Sequence, residues 1–563
     1  MRMSSSHPAA AVLAEVLAEE GVKHAVVSPG SRNAPVVLAL HHHPDIEVRV
    51  SIDERSAAHH ALGIALATWT PVPVVCTSGT AALNHGPALA EAFHARIPLL
   101  SITADRPSDA VGRGHGQSVV QTNVHAPHTV HSDVLDATHS DPVDLIQCVR
   151  HAMHMARCGG AGNSPGPVHL NVPLEEPLYG LAEAPALVGR EAKEEPLKIE
   201  STSPIPDRLR EAILRGKAVV LAGPRPHAAH QMKENRLEVN LPCLAERGAC
   251  VTGPLVIHGA ERLLQNGSWP GELQPEAIVT IGLPPMSKAL RQALSNLPHW
   301  HVGADLEGEG SGWDIWNTLK GDAPASTLQM QPDSDAMSPW VKAQLRIESI
   351  HQAFVSQWSD LQAWQTVSDT WKKWPEHQRP KSLHIANSAS ARYAQWVDLD
   401  GALTKHAAVH ANRGVAGIDG CTSTAVGWTS AQRDANHHWL ITGDLAFLYD
   451  ANAMLTDPNS SRPNIVVMNN GGGGIFRWLP GTQHHDMFER HFETPPNRTV
   501  KKQAEAMNAT CLTATNATEL ADALAQAMST PSFVVVDVQT PSSQSAQECE
   551  RYLNAFQKNQ TKG

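Results

Sequence analysis

Between Trp439 and Phe476 the chain runs WLITGDLAFLYDANAMLTDPNSSRPNIVVMNNGGGGIF, an order of signals that few folds accommodate. A short apolar run stops at Gly443-Asp444. Apolar residues at helical spacing follow (Leu448, Ala451, Leu455), then a turn at Asp457-Pro458-Asn459. A β-branched run, Ile465-Val466-Val467, then halts at Asn469-Asn470 and four glycines, 471–474. The pattern predicts strand–helix–strand with neighbouring parallel strands, which sets Asp444 and Asn470 just past the carboxyl ends of both. Open α/β sheets bind ligands in that crevice. Asp and Asn oxygens suit a hard divalent cation that is also held by phosphate. Each signal alone has a plainer explanation, since Gly-Asp and Asn-Asn-Gly are common turn formers. Their coincidence at equivalent ends of one unit is what points to a site. The glycine run has neither the Gly-x-Gly-x-x-Gly spacing of a dinucleotide site nor the Gly-Lys-Ser/Thr ending of a P-loop.

The rest of the chain repeats the alternation. After a helix from Ala9 to Glu20, a strand is expected from His24 to Val27, then the loop Ser28–Pro35 and a helix. A strand from Ile46 to Ile52 leads into Asp53-Glu54-Arg55-Ser56, which opens another helix. Strand Val72–Cys76, loop Thr77–Thr80 and a helix to Ala95 come next. Strand Leu99–Thr103 ends in Ala104-Asp105-Arg106-Pro107, and the unit closes near Gly166–Pro173. Strands alternating with helices imply a doubly wound parallel sheet. The charged stretch Gly189–Lys198 is expected to be a linker. Weaker alternation follows, with strands at Ala218–Ala222, Ala277–Ile281 and His301–Ala304 and a polar loop, Pro284–Lys288. The polar segment Asp322–Ser338 marks a second boundary. A Trp-rich helical region (Trp340, Trp358, Trp364, Trp371, Trp374) leads into strand Ser382–Ile385, and the chain ends with strand Phe533–Val538 and a polar tail. A chain of 563 residues is too long for one core. The expectation is α/β, with three doubly wound parallel-sheet domains at 1–188, 199–322 and 339–563.

With 42% hydrophobic and 18% charged residues, the composition is that of an ordinary soluble globular protein. A net charge of −12 speaks against nucleic acid or an anionic membrane as partner, while leaving room for local basic pockets. The eight cysteines form no Cys-x-x-Cys pair, so neither a disulfide framework nor a zinc knuckle is expected. Glu15, Glu19 and Glu20 interrupt the apolar N-terminal pattern, which argues against a signal peptide and for a cytoplasmic protein. The 32 histidines, including His41-His42-His43, His59-His60 and His484-His485, show no repeated metal-ligand spacing and are expected to be surface or packing residues.

The Gly443-Asp444 to Asn470 unit resembles the diphosphate–metal motif of thiamine-diphosphate enzymes, and the placement of Glu54 resembles the acid their N-terminal domain offers the aminopyrimidine ring. More narrowly, the chain resembles the members of that family in menaquinone biosynthesis that join decarboxylated 2-oxoglutarate to isochorismate. The motifs are SPGSRNAP (28–35), DERSAAHHALG (53–63), TSGTAALN (77–84), TADRP (103–107), NSASAR (387–392), NRGVAGIDG (412–420), GDLAFLYD (443–450) and NNGGGGIFRWLP (469–480). They run in family order through the first and third domains. Leu445 stands where the wider family has a third glycine.

Thiamine diphosphate must lose its thiazolium C2 proton. Its own imino group can take that proton if N1′ receives a hydrogen bond from a carboxyl group, and a Glu54 desolvated in an apolar pocket would share a proton with N1′. The resemblance implies Ser78, Gly79, Gly443, Leu445, Ile418, Ile475 and Phe476 as further cofactor contacts, with Ile418 the apolar wedge under the bent cofactor. It implies Mg2+, or Mn2+, on Asp444, Asn470 and the Gly472 carbonyl. Carboxylate-rich substrates call for guanidinium forks. By resemblance Ser31, Arg32, Arg106, Gln117, Lys288, Ser388, Arg392, Arg413 and Leu479 line the pocket for 2-oxoglutarate and isochorismate. It also implies a homodimer or homotetramer in which the acid of one subunit and the diphosphate motif of another complete each site. The alternatives are another thiamine-diphosphate decarboxylase or carboligase acting on a different 2-oxo acid, and a non-catalytic α/β binding protein.

Overall fold

In a computed structural model, the residues described are 2–138, 140–159, 164–187, 204–230, 236–303, 306, 312–432, 434–456, 460–479 and 481–558. The expected linker Gly189–Lys198 and the turn at 457–459 lie outside them. Three six-stranded sheets organise the chain. The first contains β1 (His24–Val27), β2 (Glu47–Val50), β3 (Val72–Cys76), β4 (Leu99–Asp105), β5 (His131–Val134) and β6 (Pro167–Pro173), in the order β2-β1-β3-β4-β6-β5. The second contains β7 (Ala218–Ala222), β8 (Cys243–Ala245), β9 (Val256–His258), β10 (Ala277–Ile281), β11 (His299–His301) and β12 (Leu319–Asp322), in the order β9-β8-β7-β10-β11-β12. The third contains β13 (Ser382–Ile385), β14 (Ala408–His410), β15 (His438–Gly443), β16 (Asn464–Asn469), β17 (Thr510–Ala514) and β18 (Val534–Gln539), in the order β14-β13-β15-β16-β18-β17.

All three sheets are parallel. Numbered within each sheet, the first and third share one order, 2-1-3-4-6-5, a likeness of topology that no sequence repeat announces. The middle sheet is wound 3-2-1-4-5-6, the order found in dinucleotide-binding folds. Their central strands are buried on both faces, as continuous β-branched runs such as VPVVC and NIVVMN require.

The chain forms two compact units. One comprises 1–197, 412–435 and 450–462; the other comprises 198–411, 436–449 and 463–563. In the first unit the helix Cys421–Ser430 lies against Glu54–Thr68 with glycines at the crossing. A Cβ on Gly63 would strike the Thr424 carbonyl, and one on Gly427 the His60 carbonyl. Small residues permit this approach. Bulkier ones would force the helices apart.

Several elements differ from the sequence expectation. The helix ending at Ala95 is broken into Thr80–Leu83 and Gly86–Ala95, because Pro87 lacks an N–H and restricts the residue before it. The strand expected at His301–Ala304 is His299–His301. The segment Asp322–Ser338 carries Ala323, Thr327 and Leu328 buried. The polar tail is instead a helix, Ser542–Lys558, with Ser545, Cys549, Tyr552 and Phe556 buried. Their spacing of four, three and four residues follows the helical period, which average polarity conceals.

Candidate functional site

β15 and β16 are paired from Trp439↔Asn464 to Gly443↔Met468, so Asp444 and Asn470 leave neighbouring strands at the same carboxyl edge. β13 lies on the other side of β15, and its loop carries Ser388 and Arg392. Strand order reverses between β13 and β15, and ligands enter such a sheet at that switch point.

Asp444 is 2% exposed. Its Oδ1 accepts from the Leu445 N–H at 2.8 Å, while Oδ2 is buried without a hydrogen-bond partner. Burial pushes its carboxyl up to about 7; the Asp360 charge adds to this, and the N–H groups of Leu445, Gly472 and Gly471 oppose it. Of the two consecutive asparagines, Asn469 donates to Asp537 at 2.8 Å and belongs to the sheet. Asn470 Nδ2 donates to Asp360 Oδ2 at 2.8 Å, and its Oδ1 is buried and unpartnered.

Among the described residues, two buried side-chain oxygens thus stand at adjacent strand ends with no partner at hydrogen-bonding geometry. Leaving buried acceptors unsatisfied is unfavourable, and a cation would restore the balance. The donor set fits a hard divalent metal. The Gly472 turn beside them is backbone-limited. Gly471 and Gly472 have φ of 82° and 141°, and a Cβ on Gly472 would strike the Glu493 carbonyl. That carbonyl accepts from the Gly473 N–H at 2.6 Å, and the Glu493 carboxylate accepts from Arg477 Nε at 2.6 Å and from the Ser542 hydroxyl. Gly443 and Leu445 flank Asp444. Ile475 and Phe476 occupy the following 3₁₀ turn, Phe476 packs edge-on against Phe492, and Leu479 beyond them is exposed.

In the first unit the carboxyl edge of the first sheet gathers Ser31 and Arg32 after β1, Glu54 after β2, Ser78 and Gly79 after β3, and Arg106 and Gln117 after β4. Asp53 caps the Glu54 helix, its Oδ1 accepting from Arg55 N at 2.9 Å and Ser56 N at 3.1 Å. Asn452 donates to its other oxygen at 2.7 Å. Glu54 is half-buried, short of the apolar enclosure expected for it. It stands near Cys76, whose thiol is pushed well up by burial first and the Glu54 charge second.

Arg32 donates to the Leu174 carbonyl at 2.8 Å and pairs with Glu176 at 3.3 Å. Arg106 donates to the Gly116 carbonyl at 2.9 Å, and Ser31 shares a hydrogen bond with Tyr179 at 2.8 Å. Arg413 and Ile418 lie on the loop before Cys421–Ser430. Lys288 is exposed at the start of the middle-sheet helix Lys288–Leu294. Arg392 donates to the carbonyl of Ser388, which sits at φ 66°.

The sequence reading missed the residues that hold these loops. Gln121, 1% exposed, accepts from Gly79 N at 2.8 Å and donates to Ala104 O at 3.2 Å and Asn171 Oδ1 at 3.0 Å. Asn171 in turn donates to Asp105 at 2.8 Å. Glu91 accepts from Gly414 N at 2.6 Å and Val415 N at 2.8 Å and so shapes the Arg413 loop; burial raises its carboxyl against those bonds. Asp360 does the same for Asn470. The one signal the sequence carries for Glu91 is a lone acid in the Ala-rich stretch 86–95, and Asp360 resembles an ordinary helix-start acid.

Residues 8–126 match the family described as thiamine pyrophosphate enzyme, N-terminal TPP binding domain, and residues 393–538 its C-terminal TPP binding domain. With two sheets of one topology and the oxygen pair at a switch point, they define a thiamine-diphosphate enzyme. Relatives named 2-succinyl-5-enolpyruvyl-6-hydroxy-3-cyclohexene-1-carboxylate synthase extend the match through the middle sheet. That of Flavobacterium psychrophilum is 31% identical over 552 residues, 95% of this chain and 96% of its own. That of Geobacillus kaustophilus is 30% identical over 565 residues, 94% of each. That of Staphylococcus aureus is 31% identical over 495 residues, 84% of each. The chain belongs to this synthase family.

Proposed function

We propose that this chain forms 2-succinyl-5-enolpyruvyl-6-hydroxy-3-cyclohexene-1-carboxylate for menaquinone biosynthesis, by decarboxylating 2-oxoglutarate and adding the remaining four-carbon unit to isochorismate with release of CO2. The observation that carries this reading is the pair of unpartnered buried oxygens, Asp444 Oδ2 and Asn470 Oδ1, at the switch point of a sheet that matches a thiamine-diphosphate-binding domain. Asp444, Asn470 and the Gly472 carbonyl would hold Mg2+, or Mn2+, and with it the diphosphate. When bound, thiamine diphosphate supplies the electron sink that decarboxylation of a 2-oxo acid needs.

Glu54 would hold a proton at the pyrimidine nitrogen, Ser78 and Gly79 would contact the ring, and Ile418, Ile475 and Phe476 would wall the cofactor. Arg32, Arg106, Arg392 and Arg413, with Lys288, Ser31, Gln117 and Ser388, would bind the substrate carboxylates and hydroxyls. Arg32 and Arg106 are already tethered to backbone carbonyls, which limits the rotamer freedom lost on binding. The active form is a cytoplasmic homodimer or homotetramer. Ile52, Leu83, Val120 and Val415, all exposed apolar residues of the first unit, are suited to burial between copies.

The deciding assay follows CO2 from 2-oxoglutarate. Release that requires isochorismate, thiamine diphosphate and Mg2+ together supports the reading. Equal turnover of a different 2-oxo acid, or release without isochorismate, overturns it in favour of a different carboligase or decarboxylase.

A further inference from the structure

The two ends of an asparagine amide are nearly isosteric, yet only the oxygen can hold a cation. Which end of Asn470 faces the site is therefore set by whatever holds the other end. Asn470 Nδ2 donates to Asp360 Oδ2, and Oδ1 is left buried and unpartnered. Asp360 comes from outside the strand-end loops. It is the first residue of the helix Asp360–Lys373, which is capped by Ser359.

Asp360 is itself fixed from other directions. Its N–H donates to Ser545 Oγ at 2.9 Å, and its Oδ1 accepts from Thr540 Oγ1 at 2.5 Å. Thr540 N in turn donates to the Asn469 carbonyl at 3.0 Å, so the bracket closes on the same strand end. Asp360, Thr540 and Ser545 are all buried, at 2%, 8% and 2% exposure. A carboxylate tied down in this way offers an acceptor to Asn470 and leaves the amide no equivalent arrangement with its oxygen turned inward.

We propose that Asp360 is a positioning residue for the cation site: by accepting from Asn470 Nδ2 it orients the amide so that Oδ1, beside Asp444, is the atom presented to Mg2+. The inference rests on the reading of Asp444 and Asn470 as cation ligands. It makes a specific statement about exchange. An amide at 360 can donate to the oxygen of Asn470 and turn the nitrogen toward the site. If position 470 then becomes a carboxylate, that amide donates to one oxygen and the other is again free for the cation.

The test is calorimetric binding of thiamine diphosphate to the full-length apoprotein at graded Mg2+, with no turnover involved. D360N is expected to need at least about tenfold more Mg2+ for half-saturation, the usual scale for losing an outer-shell partner. N470D, which sets two carboxyl groups against each other, is expected to weaken as well. D360N/N470D is expected to return to within about threefold of wild type, a coupling that independent sites would not show. A D360N protein with wild-type Mg2+ dependence overturns the proposal, and so does a double variant that binds no better than N470D. Should D360N fail to fold, the comparison of N470D with the double variant decides. Failure of both Asp360 variants to fold assigns Asp360 a structural role and also overturns it. A wild-type protein without Mg2+-dependent binding sinks the cation reading itself, a result distinct from all of these.

Discussion

Glu54 and Asp444 are both acids that follow a parallel strand, yet their surroundings differ. Asp444 is enclosed, with one oxygen on its own helix start and the other unpartnered. Replacing it with alanine removes the charge that a cation would neutralise, and calorimetry of D444A is expected to show no saturable Mg2+-dependent binding of thiamine diphosphate. Glu54 is half-buried and its N–H neighbours are held by Asp53, so its own carboxyl is not needed for the cap. E54Q is therefore expected to keep cofactor binding and stability, while turnover falls by about 10²-fold or more, the range for a lost proton-transfer group. Full activity in E54Q would remove Glu54 from the proton relay. At this scale the sequence showed which side chains carry suitable chemistry. It did not separate Asn469 from Asn470, because that distinction depends on Asp537 and Asp360, respectively 68 and 110 residues away.

At the scale of elements, the glycines do two unlike jobs. Gly63 and Gly427 let two helices touch backbone to backbone. G63A is expected to destabilise the first unit by about 1–3 kcal/mol, the usual penalty for overpacking, visible as a lower denaturant midpoint. Gly471 and Gly472 instead supply positive φ at the strand end, with the turn clamped by Glu493 and Arg477. Because a hydrogen bond to a charged group contributes roughly 1.5–3 kcal/mol, R477M is expected to speed amide hydrogen exchange across 471–477 by about tenfold or more. Unchanged exchange would mean the clamp is idle. Strand positions were legible because apolar β-branched runs ending in Gly, Asp or Asn are local signals. The final helix was not, since a polar majority hid its buried stripe of Ser545, Cys549, Tyr552 and Phe556.

At the scale of the whole molecule, the buried histidines are expected to make stability fall in acid. Burial pushes His60, His85, His169 and His384 down to about 3 and His351 to about 4. His85 and His169 are further lowered by neighbouring histidines, and both hydrogen-bond to hydroxyls of the first sheet, Ser101 and Thr103. Their folded-state values lie below the unfolded value of 6.5. Between pH 6.5 and about 3 the unfolded chain therefore binds protons that the folded chain refuses, and stability falls as pH falls. Each such histidine adds a slope of about 1.4 kcal/mol per pH unit in that window. Denaturation from pH 8 to 4 is expected to show a steep loss beginning near 6.5, and H169N, which keeps a polar side chain there, should flatten it. A profile flat to pH 4 would show that these rings protonate while folded.

The sequence by itself determined the alternation of strand and helix, the parallel sheets it requires, and the chemistry available at their ends, because period and residue type act over a few neighbours. Only the tertiary structure decided that 412–435 and 450–462 pack with the N-terminal unit, that the first and third sheets share one strand order, and that Asp360, Gln121 and Glu91 hydrogen-bond to the Asn470, Gly79 and Gly414 loops. Those facts are pairings between residues far apart in the chain. A buried polar group is satisfied by whatever the fold brings to it, and no local pattern records what that will be.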